Sequence, residues 1–323
     1  MYDLSLIIPI FNEQDLISEL YRRVSETLDK LHISHEVIVV SDGSTDQSVA
    51  KIIELRKYNS AWKIIELSKN FGHHSACTAG LDYARGKCVI FMDADLQDPP
   101  EMIAAFVEKW KEGYEIIYAV KKKRKESFFR RYVFILFYRV LNFLSAIDLP
   151  LDAGVFCLLD SKAAQALRLI KERHRYLAGL RAWIGFRQIA VPYEREERFA
   201  GTRKQTTAKL LSLAFDAIFS FSYIPLRLAT GIGIVFAAFS AIVITHALYE
   251  KFITHQALLG WTSILGAVIL TGGLILFMLG IIGEYIARIY DEIKERPIYL
   301  VRNFIGFDKI LEAPPENPTK SRL

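Results

Sequence analysis

Residues 88–101 read CVIFMDADLQDPPE. The unbroken apolar run Cys88 to Met92 is how a strand buried on both faces of a sheet is written. It stops at Asp93-Ala94-Asp95. An Asp-x-Asp that ends such a strand points both carboxylates toward the mouth of the sheet. Like charges held that closely repel one another unless a cation or a donor-rich ligand sits between them.

Working outward, the same strand pattern recurs at Leu4 to Ile10, Glu36 to Val40, Lys63 to Leu67 and Ile116 to Ala119. Amphipathic helices are expected between these runs, at Asp15 to Leu31, Ser48 to Lys57 and Pro100 to Lys111. Alternation of this kind predicts an α/β fold, a mainly parallel sheet with helices on both faces. Ligands then bind beyond the carboxyl ends of the strands. The first strand ends in Pro9, Phe11, Asn12 and Glu13, and the second in Ser41, Asp42, Gly43 and Ser44. The fourth ends in Asp93 and Asp95, followed by Gln97 and Asp98. Acids from three strands thus converge on one edge. Asp46 reads instead as the cap of the next helix. Carboxylate oxygens so gathered suit Mg²⁺ or Mn²⁺ bridging a diphosphate. No GxxxxGK[ST] loop and no GxGxxG outside the apolar C-terminal region is present, against a P-loop NTPase or a nicotinamide enzyme. His73 and His74, read as neighbours on an extended segment, would point to opposite sides, which favours hinge or packing roles.

Over the whole chain of 323 residues, 41 Lys+Arg against 36 Asp+Glu give a net charge of +5, too slight to indicate nucleic acid as a partner. The three cysteines, Cys77, Cys88 and Cys157, are too scattered for a disulfide framework. The hydrophobic share of 52% is concentrated near the C-terminus. No fixed charge falls between Arg227 and Glu250, or between Lys251 and Glu284. About 20 helical residues at about 1.5 Å each cross the hydrocarbon core of a bilayer, so each run is long enough to span. Arg227 precedes the pair and Arg288, Lys294, Arg296 and Arg302 follow it, whereas the connecting loop carries only Lys251. By the retention of basic residues on the cytoplasmic side, both termini and the catalytic domain are expected there, with no signal peptide ahead of the first strand. The GIG at Gly231 to Gly233 lies within a span and reads as helix-packing sequence.

Two basic clusters precede apolar segments. Lys121 to Arg131 reads KKKRKESFFRR, seven basic residues against one acid, and leads into Phe134 to Leu144. Arg198, Arg203 and Lys204 precede Leu210 to Ile224. Both patterns predict helices at a membrane surface beside cations able to hold a phosphate.

The order of IIPIFNE (Ile7 to Glu13), SDGSTD (Ser41 to Asp46), NFGHHSACTAGLDYARG (Asn70 to Gly86) and MDADLQDPPE (Met92 to Glu101) resembles glycosyltransferase family 2. So do WIGFRQ, YEREERFAGTRK and FSYIPLR farther along. Within it the chain is similar to the polyprenyl-phosphate glycosyltransferases, the group of bactoprenol glucosyltransferase and dolichol-phosphate mannose synthase. The resemblance implies a nucleotide-diphospho-sugar (GT-A) fold with interfacial helices and two C-terminal transmembrane helices. It implies a nucleotide-sugar pocket of Pro9, Phe11, Glu13, Val40 and Asp42, with Asp93 and Asp95 holding metal and diphosphate and Gln97 near the sugar. Lys121, Arg124, Arg198 and Lys204 fall where the family pattern is basic, and Arg203 belongs to the same cluster. The expected domains are a catalytic domain over 1–205, an interfacial helix over 206–226, a two-helix transmembrane region over 227–290 and a cytoplasmic tail over 291–323.

The expected reaction is metal-dependent, inverting transfer of glucose from UDP-glucose to polyprenyl phosphate. GDP-mannose or a modified UDP-sugar is the alternative donor, and a non-catalytic membrane scaffold the alternative role. A phosphate acceptor is already largely dianionic at pH 7, its second pKa being near about 6, so Asp152 is a candidate base without an obligatory part. Many relatives read GDFRL where this chain has Gly154, Val155, Phe156, Cys157 and Leu158, so an acid and an arginine are replaced. A processive polysaccharide synthase would carry a QxxRW motif and more spans. Homo-oligomer formation is left open by the sequence.

Overall fold

The computed structural model describes residues 2–121, 153–173, 175–194, 224–249, 252–253 and 260–307. Its centre is an eight-stranded mixed sheet. In chain order the first unit runs β1 (Leu4–Ile10), α1 (Ile17–Lys30), β2 (His35–Ser41), α2 (Ser48–Arg56), β3 (Trp62–Leu67), α3 (His73–Tyr83) and β4 (Cys88–Phe91). It continues with α4 (Met102–Lys111), β5 (Ile116–Lys121), β6 (Ala153–Asp160), α5 (Ser161–Leu169), α6 (Leu177–Trp183) and β7 (Gln188–Tyr193). The strand order is β7-β5-β6-β4-β1-β2-β3-β8, where β8 is Val301–Ile305.

The four strands legible at the amino-terminal end, β1 to β4, pair in parallel. Each is buried along almost its whole length, as continuous apolar runs require. Ile17, Leu20, Val24 and Leu28 give α1 its buried stripe at helical spacing. Beyond this half the sheet is less parallel than expected. β6 is antiparallel to both β4 and β5, while β7 returns parallel to β5.

A polar network lies inside the sheet at the end opposite the strand mouths. The Ser5 hydroxyl donates to Glu36 Oε1 at 2.6 Å, Lys63 Nζ to Glu36 Oε2 at 2.6 Å, and the Arg85 N–H to Oε1 at 2.8 Å. Glu36 is fully buried, and these donors are what make a carboxylate tolerable there.

The chain divides into two compact units. The second, within Leu211–Arg296, contains α7 (Ile224–Tyr249) and α8 (Trp261–Ile293), which contact each other. Both are long and apolar enough to cross a membrane. Their large apolar side chains are exposed, Val235 by 70% and Leu276 by 71%.

Residues 297–307, part of the tail expected over 291–323, rejoin the first unit. β8 pairs antiparallel with β3 and closes that edge of the sheet. Phe304 packs on Tyr83 at 4.8 Å between ring centroids, and the Tyr299 hydroxyl donates to Asp82 at 2.8 Å. Arg302 and Asn303 both donate to the Glu66 carboxylate.

Candidate active site at the carboxyl edge of the sheet

Because β1 to β4 are parallel, their carboxyl ends open on one edge, and the loops that follow them meet there. Past β4 the exposure alternates. Asp93, Asp95 and Gln97 are half-buried, while Ala94, Leu96 and Asp98 are buried. The Asp-x-Asp therefore presents both acids on the open side, as its spacing predicts. The Gln97 N–H donates to Asp95 Oδ1 at 3.2 Å. Asp98 turns inward and accepts from the Tyr193 hydroxyl, tying β7 to this loop.

Across β1 and β2, Pro9 and Val40 are register partners and both are buried. Phe11 is 38% exposed at the rim and Glu13 is half-buried. The loop after β1 is clamped to the loop after β2: the Asn12 N–H donates to Ser44, and Asn12 Oδ1 accepts from the Thr45 N–H at 2.8 Å. Asp46, expected to cap α2, stands one residue before its N-cap, Gln47, which makes no side-chain cap bond; its carboxylate instead accepts from the N–H groups of Ser48 and Gln14 and struts the first loop. Burial pushes its carboxyl up, but bonds from Ser48 and Gln14 hold it below the ordinary value.

Asp42 is 3% exposed and serves the next loop. Its two oxygens accept from the N–H groups of Phe71 and Gly72, at 2.7 and 2.9 Å. Burial raises its pKa, opposed by those two bonds and by His73. Gly43 beside it has φ +70°, and a Cβ there would stand 2.5 Å from the Lys69 carbonyl carbon. Only glycine lets the two loops approach so closely.

The Asp42 clamp fixes the start of α3, and this places a residue that the sequence reading assigned to a hinge or packing role. His73 and His74 open a helix and are not extended. His73 Nε2 lies 2.7 Å from Asp93 Oδ1, and its ring nitrogens are 4.0 Å from the Cys77 sulfur. The Cys77 sulfur and the Asp93 carboxylate draw its pKa well above the ordinary imidazole value, against the cost of burial. His74 faces inward against Tyr176, and burial lowers its pKa to about 4. The signal for His73 was available in Gly72 followed by an apolar face at Ala76, Cys77, Gly80 and Leu81, which marks a helix start at the site.

Among the described residues, no group of three or more His, Cys, Asp or Glu side chains is placed to hold a metal ion. Two carboxylates on an open mouth still suit a hard dication that completes its shell with substrate phosphates and water, as Mg²⁺ commonly does. Of the acceptor-side candidates, Lys121 ends β5 and only its backbone is described. Arg124, Asp152, Arg198, Arg203 and Lys204 lie outside the described residues, as does most of the expected interfacial helix.

Residues 5–168 match the glycosyl transferase family 2 model, and residues 224–289 match the GtrB C-terminal hairpin. The glycosyltransferase YkcC of Bacillus subtilis (strain 168), itself uncharacterized, is 43% identical over 305 residues, 94% of each chain. A bactoprenol glucosyl transferase of Shigella phage SfV is 34% identical over 301 residues, 93% of this chain and 98% of the relative. A prophage bactoprenol glucosyl transferase homolog of Escherichia coli (strain K12) is 33% identical over 300 residues, 93% of this chain and 98% of its own.

Proposed function

The chain belongs to glycosyl transferase family 2, and from that premise we propose that it transfers glucose from UDP-glucose to a membrane polyprenyl phosphate, releasing UDP. The observation that carries this reading is the pair Asp93 and Asp95, half-open at the strand mouth of a chain that also bears two exposed apolar helices. The relatives named as bactoprenol glucosyl transferases support the choice of acceptor and sugar.

In the reaction, an oxygen of the lipid phosphate attacks the anomeric carbon as the bond from that carbon to the diphosphate oxygen breaks. The electron pair leaves with UDP, and configuration inverts. Pro9, Phe11, Glu13, Val40 and Asp42 would bound the base and ribose, and Gln97 the sugar. Asp93 and Asp95 would hold a divalent cation, which when bound neutralises charge on the diphosphate. His73 would orient Asp93 through the 2.7 Å contact. Since the acceptor is already an anion, positioning and charge neutralisation carry most of the rate, and Asp152 need not remove a proton. Lys121, Arg124, Arg198, Arg203 and Lys204 would hold the lipid phosphate.

The membrane arrangement follows the same reading. β1 and β8 belong to one sheet, so the chain that leaves it before α7 and returns after α8 must cross a bilayer an even number of times. With basic residues flanking the pair, the catalytic domain and both termini would be cytoplasmic.

Purified protein with Mg²⁺, polyprenyl phosphate and labelled UDP-glucose, UDP-galactose, UDP-N-acetylglucosamine or GDP-mannose tests the donor. Label is expected in the lipid from UDP-glucose above the others. Preference for a different donor would overturn the sugar assignment, and absence of lipid label from all four would overturn the acceptor.

A further inference from the structure

The β5–β6 half of the sheet holds a cation that the reaction above leaves unused. Arg181, on α6, is 1% exposed. Its Nη1 donates to the Gly154 carbonyl at 3.0 Å, and its guanidinium carbon lies 4.5 Å from the centroid of the Tyr118 ring. Its Nε and Nη2 are buried without a hydrogen-bond partner. It lines a small cavity with Phe91, Cys157 and Leu177. Among the described residues no carboxylate pairs with it. A buried guanidinium compensated by a ring face, one carbonyl and the Cys157 sulfur, with no carboxylate beside it among the described residues, is costly.

Its place in the sheet supplies a reason. β6 is antiparallel to β4 with Cys157 opposite Phe91, so Gly154 lies at the edge where β4 releases Asp93 and Asp95. Val120 pairs with Ala153, so β5 brings the backbone of Lys121 to the same edge. β5 and β6 stand on the far side of β4 from β2, which carries Asp42. This is the half left for the acceptor. Cys157 of β6 lines the same cavity as Arg181, so a basic side chain at either position would place its charge in that cavity.

We propose that Arg181 is a positioning residue for the acceptor phosphate: it fixes the start of β6 against β5 and places a buried positive charge under the acceptor half of the edge. An anionic headgroup is thereby held beside Asp93 and Asp95, which alone would repel it. The inference rests on the polyprenyl-phosphate reading above, but binding tests it separately from transfer.

The experiment titrates the full chain, in detergent, with polyprenyl phosphate, with the uncharged polyprenol and with UDP, and records the thermal midpoint. Arg181→Met should weaken polyprenyl phosphate by on the order of tenfold while leaving polyprenol and UDP within about twofold. The double variant Cys157→Arg with Arg181→Met should regain most of the phosphate affinity. If Arg181→Met does not fold, Arg181→Lys keeps the charge without the fork and should show a smaller loss, again confined to the phosphate. Unchanged phosphate affinity would overturn the proposal, as would equal losses for phosphate, polyprenol and UDP, which mark a purely structural residue. Wild-type protein that binds polyprenyl phosphate but transfers no sugar to it would contradict the proposed function and leave the role of Arg181 standing.

Discussion

Asp93 and His73 come from different strand ends, and their 2.7 Å contact makes the histidine part of the site. Removing a group that orients a metal ligand typically costs about 10–100-fold in affinity or activity. His73→Phe should therefore lower transfer by that factor and raise the Mg²⁺ concentration needed for half-maximal rate, with His73→Gln recovering part of the loss. Equal Mg²⁺ dependence in all three proteins would remove His73 from the site. His74 makes the opposite prediction. Its folded pKa of about 4 lies below the ordinary imidazole value because it is buried, so between about pH 6.5 and 4 the unfolded chain binds the extra proton. Stability from this group is complete above that window and is lost as the pH falls through it, by about 2 kcal/mol at pH 5. His74→Phe should show a smaller fall in thermal midpoint between pH 7 and pH 5 than wild type; parallel curves would contradict the burial argument. At this scale the sequence was legible where spacing alone decides direction. Asp-x-Asp after a buried strand fixed the exposure of Asp93 and Asp95. It was not legible where direction depends on a helix start: one turn of α3 separates an extended His-His pair from a histidine placed on Asp93.

At the scale of elements, continuous apolar runs identified β1 to β5 within a residue or two, because a strand buried on both faces leaves no other pattern. β7 and β8 carried no such mark. β8 is a partly exposed edge strand, VRNFI, whose Arg302 and Asn303 face Glu66, so its sequence alternates too weakly to announce a strand. Its role is nevertheless definite, since β3 would otherwise present an unpaired edge. Chains ending at Arg296 should lose hydrogen-exchange protection at Ile64 to Leu67, the residues paired with β8, while β1 amides stay protected. Unchanged protection in β3 would mean that β8 does not hold that edge. Tyr299, Phe304 and Phe307 also rest on the last turn of α3, the helix whose first turn carries His73. The segment following the apolar pair is thus built into the same scaffold as the site.

For the whole molecule, the modest net charge and high apolar content resolve into separate parts: acids at one sheet edge, a basic run that follows β5 in the sequence, and two helices with exposed apolar side chains. That division is what an enzyme needs if it joins a soluble nucleotide sugar to an anionic lipid, and it places the central claim on Asp93 and Asp95. The most direct measurement compares wild type with Asp95→Asn for transfer of labelled sugar from UDP-glucose into solvent-extractable polyprenyl phosphate. Removing one acid from a cluster relieves repulsion, so the variant should fold with an unchanged or slightly higher thermal midpoint. The account predicts labelled lipid with wild type and none above background with Asp95→Asn; transfer by the variant at wild-type rate would contradict it.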